Sequence, residues 1–438
     1  MRWTDLPEFE NCPDGWEVIP LSQIAEFVAG QSPDSALYNA LGEGLPFLQG
    51  NAEFGATNPQ PTTYCTAPTK ICETGDTLIS VRAPVGALNR ADQSYGLGRG
   101  VGALHPKGIS SEYLYQAMTR WYLPLRRAAQ GSTFDAVTAR HFRQLRCCLP
   151  TDSNEQEAIA KRLSLADEAI AAAEAKITAA RRLKTALMQQ LFTRGIPGRH
   201  SRFRQTKIGE IPASWEVVPM SSVIDGTIRN GFSASESQNS TQWRVLSLDA
   251  LGFDEFVPTG HKPIFWDDEI EAELAQFILK PNDLLVSRSN TPDRVGLAGL
   301  YEGSPENCIY PDLMMRFRVF ENEVKPKYAE YFLRTTHARR WFQSRASGTS
   351  GSMVKIKRRD LRQLRFIKPE LDEQGEICTL LEASQSTIQA IRNEISLLHR
   401  LKRSLLQNLL TGRVRVRMEG GAAAEQMPLF SSRSDGGD

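Results

Sequence analysis

The sequence predicts a mixed α/β fold: two globular domains separated by a long antiparallel two-helix coiled coil, related by an internal pseudo-two-fold repeat. Three observations carry this. Landmarks recur about two hundred residues apart, two heptad seams fall at matching places, and short apolar strands stand between turn residues.

The repeat comes first. DGWEVIPLSQI around Trp16 returns as ASWEVVPMSSV around Trp215, an offset of 199. GDTLISVRAPVG from Gly75 resembles NDLLVSRSNTPDRVG from Asn282, an offset of about 207. Arg-Gln-Leu-Arg occurs at Arg143 and again at Arg362, and Pro150 and Pro369 follow it, an offset of 219. RLKTALMQQLFTRG from Arg182 matches RLKRSLLQNLLTGR from Arg400, an offset of 218. Order is kept while the offset drifts, so each half has one plan with insertions concentrated in its first portion. The predicted divisions are a globular domain at 1–152, a long helix at 153–195, a second globular domain at 196–370 and a long helix at 371–412. A Gly/Ser-rich tail at 413–438 is expected to be disordered.

The long helices follow from spacing. Ile159, Leu163, Ala166, Ile170, Ala173, Ile177, Ala180, Leu187 and Leu191 alternate steps of four and three, with Lys184 on the missing beat. The counterpart runs Ile377, Leu381, Ser384, Ile388, Ile391, Ile395, Leu398, Lys402, Leu405 and Leu409, each 218 residues later. A heptad seam of this length specifies helices of roughly 40 residues, about 60 Å long. The first helix leaves one globular domain and enters the next, and the second must run back to pair with it. Lys184 and Lys402 either fix register or snorkel at the edge of the seam.

Within the globular parts, DTLISVR, DLLVSRS and LMMRFRVF are short apolar runs bounded by Gly, Pro, Asn or Asp, which predicts strands. SSEYLYQAMTRWYLPLRRAAQ and KPKYAEYFLRTTHARRWFQSR each predict an amphipathic helix. Arg-Gln-Leu-Arg is expected at a hinge, where each domain closes with a short strand before the proline. Leu145 and Leu364 then pack inward and the flanking arginines stay exposed.

Composition narrows the function classes. A chain of 438 residues with a 41% hydrophobic share is that of a multidomain globular protein. The opening MRWTDLPEFENCPDGW has no apolar stretch of the signal-peptide kind, and no 18-residue apolar run suggests a membrane span. Seven cysteines without a CxxC, and six unclustered histidines, argue against a disulfide framework or a zinc site. A reducing cytoplasm is the expected location. Net charge is only +1, but charge is segregated. Leu313–Lys368 holds 15 Lys/Arg against 4 Asp/Glu, Tyr113–Pro150 holds 6 against 1, and Asp249–Glu273 holds 8 acids and one lysine.

Catalytic signatures fail one by one. There is no GxxxxGK[ST] for nucleotide hydrolysis. YGLGRGVG at 95–102 lacks the helix a dinucleotide site needs. NPQP at Asn58 lacks the paired proline and aromatic for a flipped base. PDL at Pro311 lacks the spaced acid and lysine of a nuclease. His141 and His337 read as ordinary surface residues. The absences favour a binding subunit.

Each half carries a Ser/Gly/Thr-rich loop before its basic segment, AAQGSTFDAVTARHFRQLR and SRASGTSGSMVKIKRRDLRQLR. Hydroxyls, glycine amides and flanking cations suit a phosphate backbone, although a solvated cationic turn has the same composition. The candidates are Gln130, Ser132, Thr133, Arg140 and Arg143 in the first half. In the second they are Arg345, Ser347, Thr349, Ser352, Lys355 and Lys357. Arg82, Arg288 and Ser289 close two strand ends, where an arginine either reaches guanine in bidentate fashion or pairs with a local carboxylate.

Taken in order, these motifs resemble the specificity subunit of a type I restriction-modification system over essentially all of 1–412. The resemblance rests on GWEVIPL/SWEVVPM, GDTLISVRAPVG, GSTF/SGTSGS, LPTDSNEQEAI/KPELDEQGEI and the LKTALMQQLFTRG/LKRSLLQNLLTGR ends. The second loop departs from the first by an extra Gly-Ser step, which loosens residue equivalence there. The resemblance implies that each globular part is a target recognition domain reading one half of a split double-stranded DNA sequence. It implies helices that space the half-sites and dock two methyltransferase subunits, which bring S-adenosylmethionine and methylate adenine. Motor-endonuclease subunits would bring ATP and Mg, leaving this chain without catalysis, cofactor or metal. Two other readings stand beside it: a coiled-coil assembly adaptor that does not read DNA, and a fused enzyme that catalyses by itself.

Overall fold

The computed structural model describes residues 12–82, 84–122, 137–237, 241–266, 274–350 and 352–416. Its contacts divide the chain into two compact units, one holding residues up to Lys176 and from Arg392 onward, the other Ile177–Ile391. Both cuts fall inside long helices. Each helix is therefore shared between the units instead of standing apart from the globular parts.

The first unit contains β1 (Trp16–Pro20), β2 (Ala25–Ala29), β3 (Thr77–Ser80), β4 (Leu88–Arg90) and β5 (Val101–Pro106). Next come α1 (Ser111–Trp121), α2 (Ala139–Gln144), β6 (Arg146–Pro150) and the long α3 (Ser153–Arg194). Strands β2, β5, β3 and β4 form one antiparallel sheet in that order. The apolar run of β3 is buried on both faces, as expected of a central strand. Helix α1 starts at Ser110, whose Oγ accepts from the Tyr113 amide at 3.1 Å. It turns Tyr113, Leu114, Ala117, Met118 and Trp121 into the core, an i, i+1, i+4, i+5, i+8 face. Strands β1 and β6 pair antiparallel, Trp16 opposite Pro150 and Pro20 opposite Arg146.

The second unit contains β7 (Glu216–Pro219), β8 (Ile224–Asn230), β9 (Asp283–Ser287), β10 (Ser289–Asn290), β11 (Ala298–Tyr301) and β12 (Met314–Val319). Helices α4 (Pro326–Arg334) and α5 (Thr336–Arg345) follow, then β13 (Ser347–Ser350), β14 (Met353–Lys355), α6 (Arg358–Gln363), β15 (Arg365–Lys368) and the long α7 (Leu371–Leu409). Strands β8, β12, β9 and β11 form an antiparallel sheet, and β7 pairs with β15. The Arg-Gln-Leu-Arg stretches thus cross from α2 into β6 and from α6 into β15. Leu145 and Leu364 are buried there, and Arg143, Arg146, Arg362 and Arg365 are exposed.

Both long helices begin on a buried glutamine. Gln156 donates to the carbonyl of Pro150, and Gln374 to that of Pro369, each at 2.8 Å. Within the first unit, Glu155 pairs with Arg415, Asp167 with Lys402, and Lys176 with Glu394. Within the second, Lys184 donates to Gln385, and Arg199 pairs with both Asp372 and Glu376. The two lysines on the matching beat differ: Lys184 is buried, whereas Lys402 is half-exposed beside its carboxylate.

Two expectations change. The single helix read from KPKYAEYFLRTTHARRWFQSR is two, broken at Thr335. There the backbone turns extended and Oγ1 accepts from the Ala338 amide, starting a new helix. The disordered tail does not begin at 413, because Arg415 is ion-paired and Val416 is buried. Positions 417–438, and 123–136 within the first predicted amphipathic helix and its loop, lie outside the described residues.

Candidate nucleic-acid interface

In the antiparallel order β8-β12-β9-β11, the end of β8, the start of β12 and the end of β9 lie together at one end of the sheet. The candidates of the second half gather there. Arg288 leaves β9 with its amide bonded to the carbonyl of Leu313 at 2.8 Å and Nη1 donating to the carbonyl of Asp312 at 3.3 Å. Its own carbonyl accepts from the Ile356 amide at 2.9 Å. Ser289 then pairs with Lys355 and Asn290 with Val354, while Ser347 pairs with Lys355 from the other side. The Ser/Gly-rich loop is thus a β-hairpin, added to β10 as a three-stranded sheet.

This sheet presents Arg345, Ser347, Ser352, Lys355 and Lys357 exposed on one stretch of chain. The Arg345 guanidinium lies 3.3 Å from the centroid of the Trp341 ring, and the Trp341 indole donates to the carbonyl of Asp360 at 2.7 Å. A stacked guanidinium keeps its donors outward and its rotamer fixed. Lys357 starts α6, its amide held by the buried Asp360 carboxylate at 2.7 Å. Arg358 reaches back to Asn230 Oδ1 at the end of β8, 3.2 Å away. From Tyr331 to Arg359 the chain has eight Lys/Arg and no Asp/Glu. The Arg334 side chain is buried in an ion pair with Glu330 and Arg359 lies 3.8 Å from Asp360, while the exposed Arg345, Lys355, Lys357 and Arg358 make this surface cationic.

Ser289 needs correction as a surface contact. It is fully buried beneath β14, and its Oγ has no partner among the described residues. Strand β9 and its extension are buried on both faces, so alternation does not bring Ser289 to the surface. The side chain of Thr349 is outside the description.

In the first unit, Val81 follows β3 with its amide on the carbonyl of Gly100 at 3.0 Å, and its carbonyl accepts from the Val137 amide at 2.9 Å. This sets exposed Arg82 beside the loop bearing exposed Arg99. Arg140 and Arg143 are exposed on α2, which buries Phe142 stacked on Phe27 at 4.0 Å between centroids. Gln130, Ser132 and Thr133 fall outside the described residues. The histidines are not ordinary surface groups: His141 caps α2 through the Thr138 amide at 3.0 Å. His337 is half-buried, and burial lowers its pKa.

Arg99 is the candidate that motif reasoning missed. Its signal was the glycine-rich YGLGRGVG, set aside as a failed dinucleotide loop. A Cβ on Gly100 would lie 2.2 Å from the carbonyl oxygen of Gln49, so glycine is required for close packing, and the one charged residue in the run is turned outward.

Among the described residues no helix is long and apolar enough to cross a membrane, and no group of three or more His, Cys, Asp or Glu is placed to hold a metal.

Residues 13–180 match the family described as type I restriction modification DNA specificity domain. The putative type I restriction enzyme MjaX specificity subunit of Methanocaldococcus jannaschii is 35% identical over 190 residues, 42% of this chain and 44% of that protein. The chain thus spans less than half the length of this relative. The MjaVIII specificity subunit of the same organism is 26% identical over 314 residues, 70% of each chain. Among solved structures, the type I restriction-modification S subunit from M. genitalium superposes with a TM-score of 0.56 at 12% identity, covering 91% of this chain and 97% of that one. A chain from a structure on complex assembly and conformational transition of the type I R-M system gives 0.51 at 16% identity, covering 92% and 100%. These structural likenesses bear on the fold.

Proposed function

We infer that this chain is a type I restriction-modification specificity subunit and that each unit reads one half of a bipartite, asymmetric double-stranded DNA target. The observation that carries this reading is the cationic surface of the second unit, where exposed Arg345, Lys355, Lys357 and Arg358 surround a hairpin held by pairing with β10. A two-stranded ribbon fits the major groove, and flanking cations suit the phosphates on either side. In the first unit, Arg82, Arg99, Arg140 and Arg143 take the corresponding part.

The chain itself is a non-catalytic recognition subunit. The two long helices form an antiparallel coiled coil, and the halves are a pseudo-two-fold repeat with domains at 1–152 and 196–370. In support, within the first unit the partners of successive α3 residues fall in number, from Arg415 just beyond α7 for Glu155, to Lys402 on α7 for Asp167 and Glu394 on α7 for Lys176. The matching roles of Gln156 and Gln374 support the repeat. The helices dock two methyltransferase subunits, which supply S-adenosylmethionine. Motor-endonuclease subunits supply ATP and Mg chemistry, and the complex works in the cytoplasm.

The test is a methylation and gel-shift assay with the methyltransferase partner, with and without this chain. Sequence-selective methylation is expected only with the chain present. Unchanged selectivity without it would leave the alternative, an assembly adaptor that never touches DNA.

A further inference from the structure

All seven cysteines are free, and five of them, Cys65, Cys72, Cys147, Cys308 and Cys378, are buried. Cys12 and Cys148 are half-buried, and their Sγ atoms lie 3.0 Å apart although 136 residues separate them in sequence. Alternation along β6 explains why only one of the adjacent pair takes part. Cys147 points into the core, and Cys148, opposite Val18 of β1, points the other way.

We propose that Cys12 and Cys148 form a reversible thiol–disulfide site, oxidised by a low-molecular-weight disulfide and reopened by the matching thiol. The exchange balances in two steps. The Cys12 thiolate attacks the oxidant disulfide, forming a mixed disulfide and releasing one thiolate of the oxidant. Cys148, deprotonated, then attacks the Cys12 sulfur and expels the second oxidant thiolate, which takes up a proton. The two protein thiols are oxidised, and one oxidant disulfide becomes two thiols. Burial pushes the Cys148 thiol up to about 12, which makes it a slow first attacker. As the second, intramolecular attacker it works from hydrogen-bonding distance, where effective concentration offsets a small thiolate fraction.

The segment that Cys12 begins is structurally engaged. The carbonyl of Asp14 accepts from Arg415 Nη1 at 2.6 Å, and the carbonyl of Gly15 accepts from the Thr151 amide and hydroxyl at 3.0 and 2.9 Å. Pro13 and Trp16 also pack against Gly412, where an added Cβ would lie 2.6 and 3.2 Å from them. A cross-link to β6 would therefore fasten the segment that grips residues 412–415. This inference does not depend on DNA reading.

The test treats the purified full-length chain with oxidised glutathione, then denatures it, counts free thiols and maps peptides. The expected result is a fall from seven thiols to five (seven minus two), a Cys12–Cys148 cross-linked peptide, and full reversal by dithiothreitol. Cys12→Ser and Cys148→Ser should each abolish the cross-link. Closing so long a loop should raise the melting temperature of the wild type by about 5–10 °C on oxidation and leave the variants unmoved. An unchanged thiol count, a cross-link elsewhere, or a glutathione adduct that stays on Cys12 would overturn the site. A cross-link without a melting shift would overturn the fastening.

Discussion

Glu155 holds Arg415 by two bonds, Nε to Oε1 and Nη2 to Oε2, both 2.6 Å. The carboxylate is buried in the first turn of α3, where the helix dipole adds to the attraction. At the matching place in α7, Glu373 is held instead by the Trp215 indole at 2.9 Å and by His200 at 2.7 Å. Because the guanidinium is half-exposed while the carboxylate is not, removing the arginine strands a desolvated charge. Arg415→Ala should lower stability by about 1–3 kcal/mol in urea melts. Adding Glu155→Gln should cost less than the sum of the two single changes.

Lys184 predicts a pH effect. Burial, then the nearby Arg334 charge, lowers its pKa from 10.5 to about 8, and its side chain is only 7% exposed. The unfolded chain therefore binds more protons than the folded one between pH 8 and 10.5, so this lysine's destabilising contribution is full below 8 and fades as pH rises through that window. Lys184→Met should raise the stability of the second unit by about 1–2 kcal/mol at pH 7, after allowing for the lost bond to Gln385. The gain should shrink in melts at pH 10.

Gly100→Ala tests the glycine-rich run. The new methyl would meet the Gln49 carbonyl oxygen at 2.2 Å, and backbone cannot move aside cheaply. A loss of about 2–4 kcal/mol in thermal melts is expected. Gly50→Ala, likewise outside the left-handed region but with open space at its Cβ, serves as the control.

Reversing Lys355, Lys357, Arg358 and Arg359 to glutamate should weaken DNA binding by on the order of a hundredfold or more and flatten its salt dependence. A gel shift across a salt series reads both. An adaptor that does not touch DNA would be indifferent to all four changes.

Sequence patterns reached the helices further than the surface. Heptad spacing left Leu165, Leu183, Leu397 and Leu401 off the seam, and they are 55%, 68%, 56% and 52% exposed, while Leu163, Ile177, Leu381 and Ile388 are buried. A period of 3.5 is a local property, so it is readable from local sequence. The surface is not local. Strand pairing brings Ser289 against Lys355 and buries it, and nothing in SRS signals a partner so far along the chain. The parallel pairing of Arg244 with Cys308 was equally out of reach. The break at Thr335 was closer to legible, since paired threonines favour a cap over a continuing turn.

The ladder of β1 with β6, like that of β7 with β15, zips the beginning of a globular part to the strand just ahead of its long helix. Chain enters and leaves through one doorway, so whatever is inserted between is invisible to the frame outside. That is why the repeat offset can drift from 199 to 219 without disturbing the helices. It also separates each interior from the frame: residues can be added between the paired strands while the socket they close keeps its register.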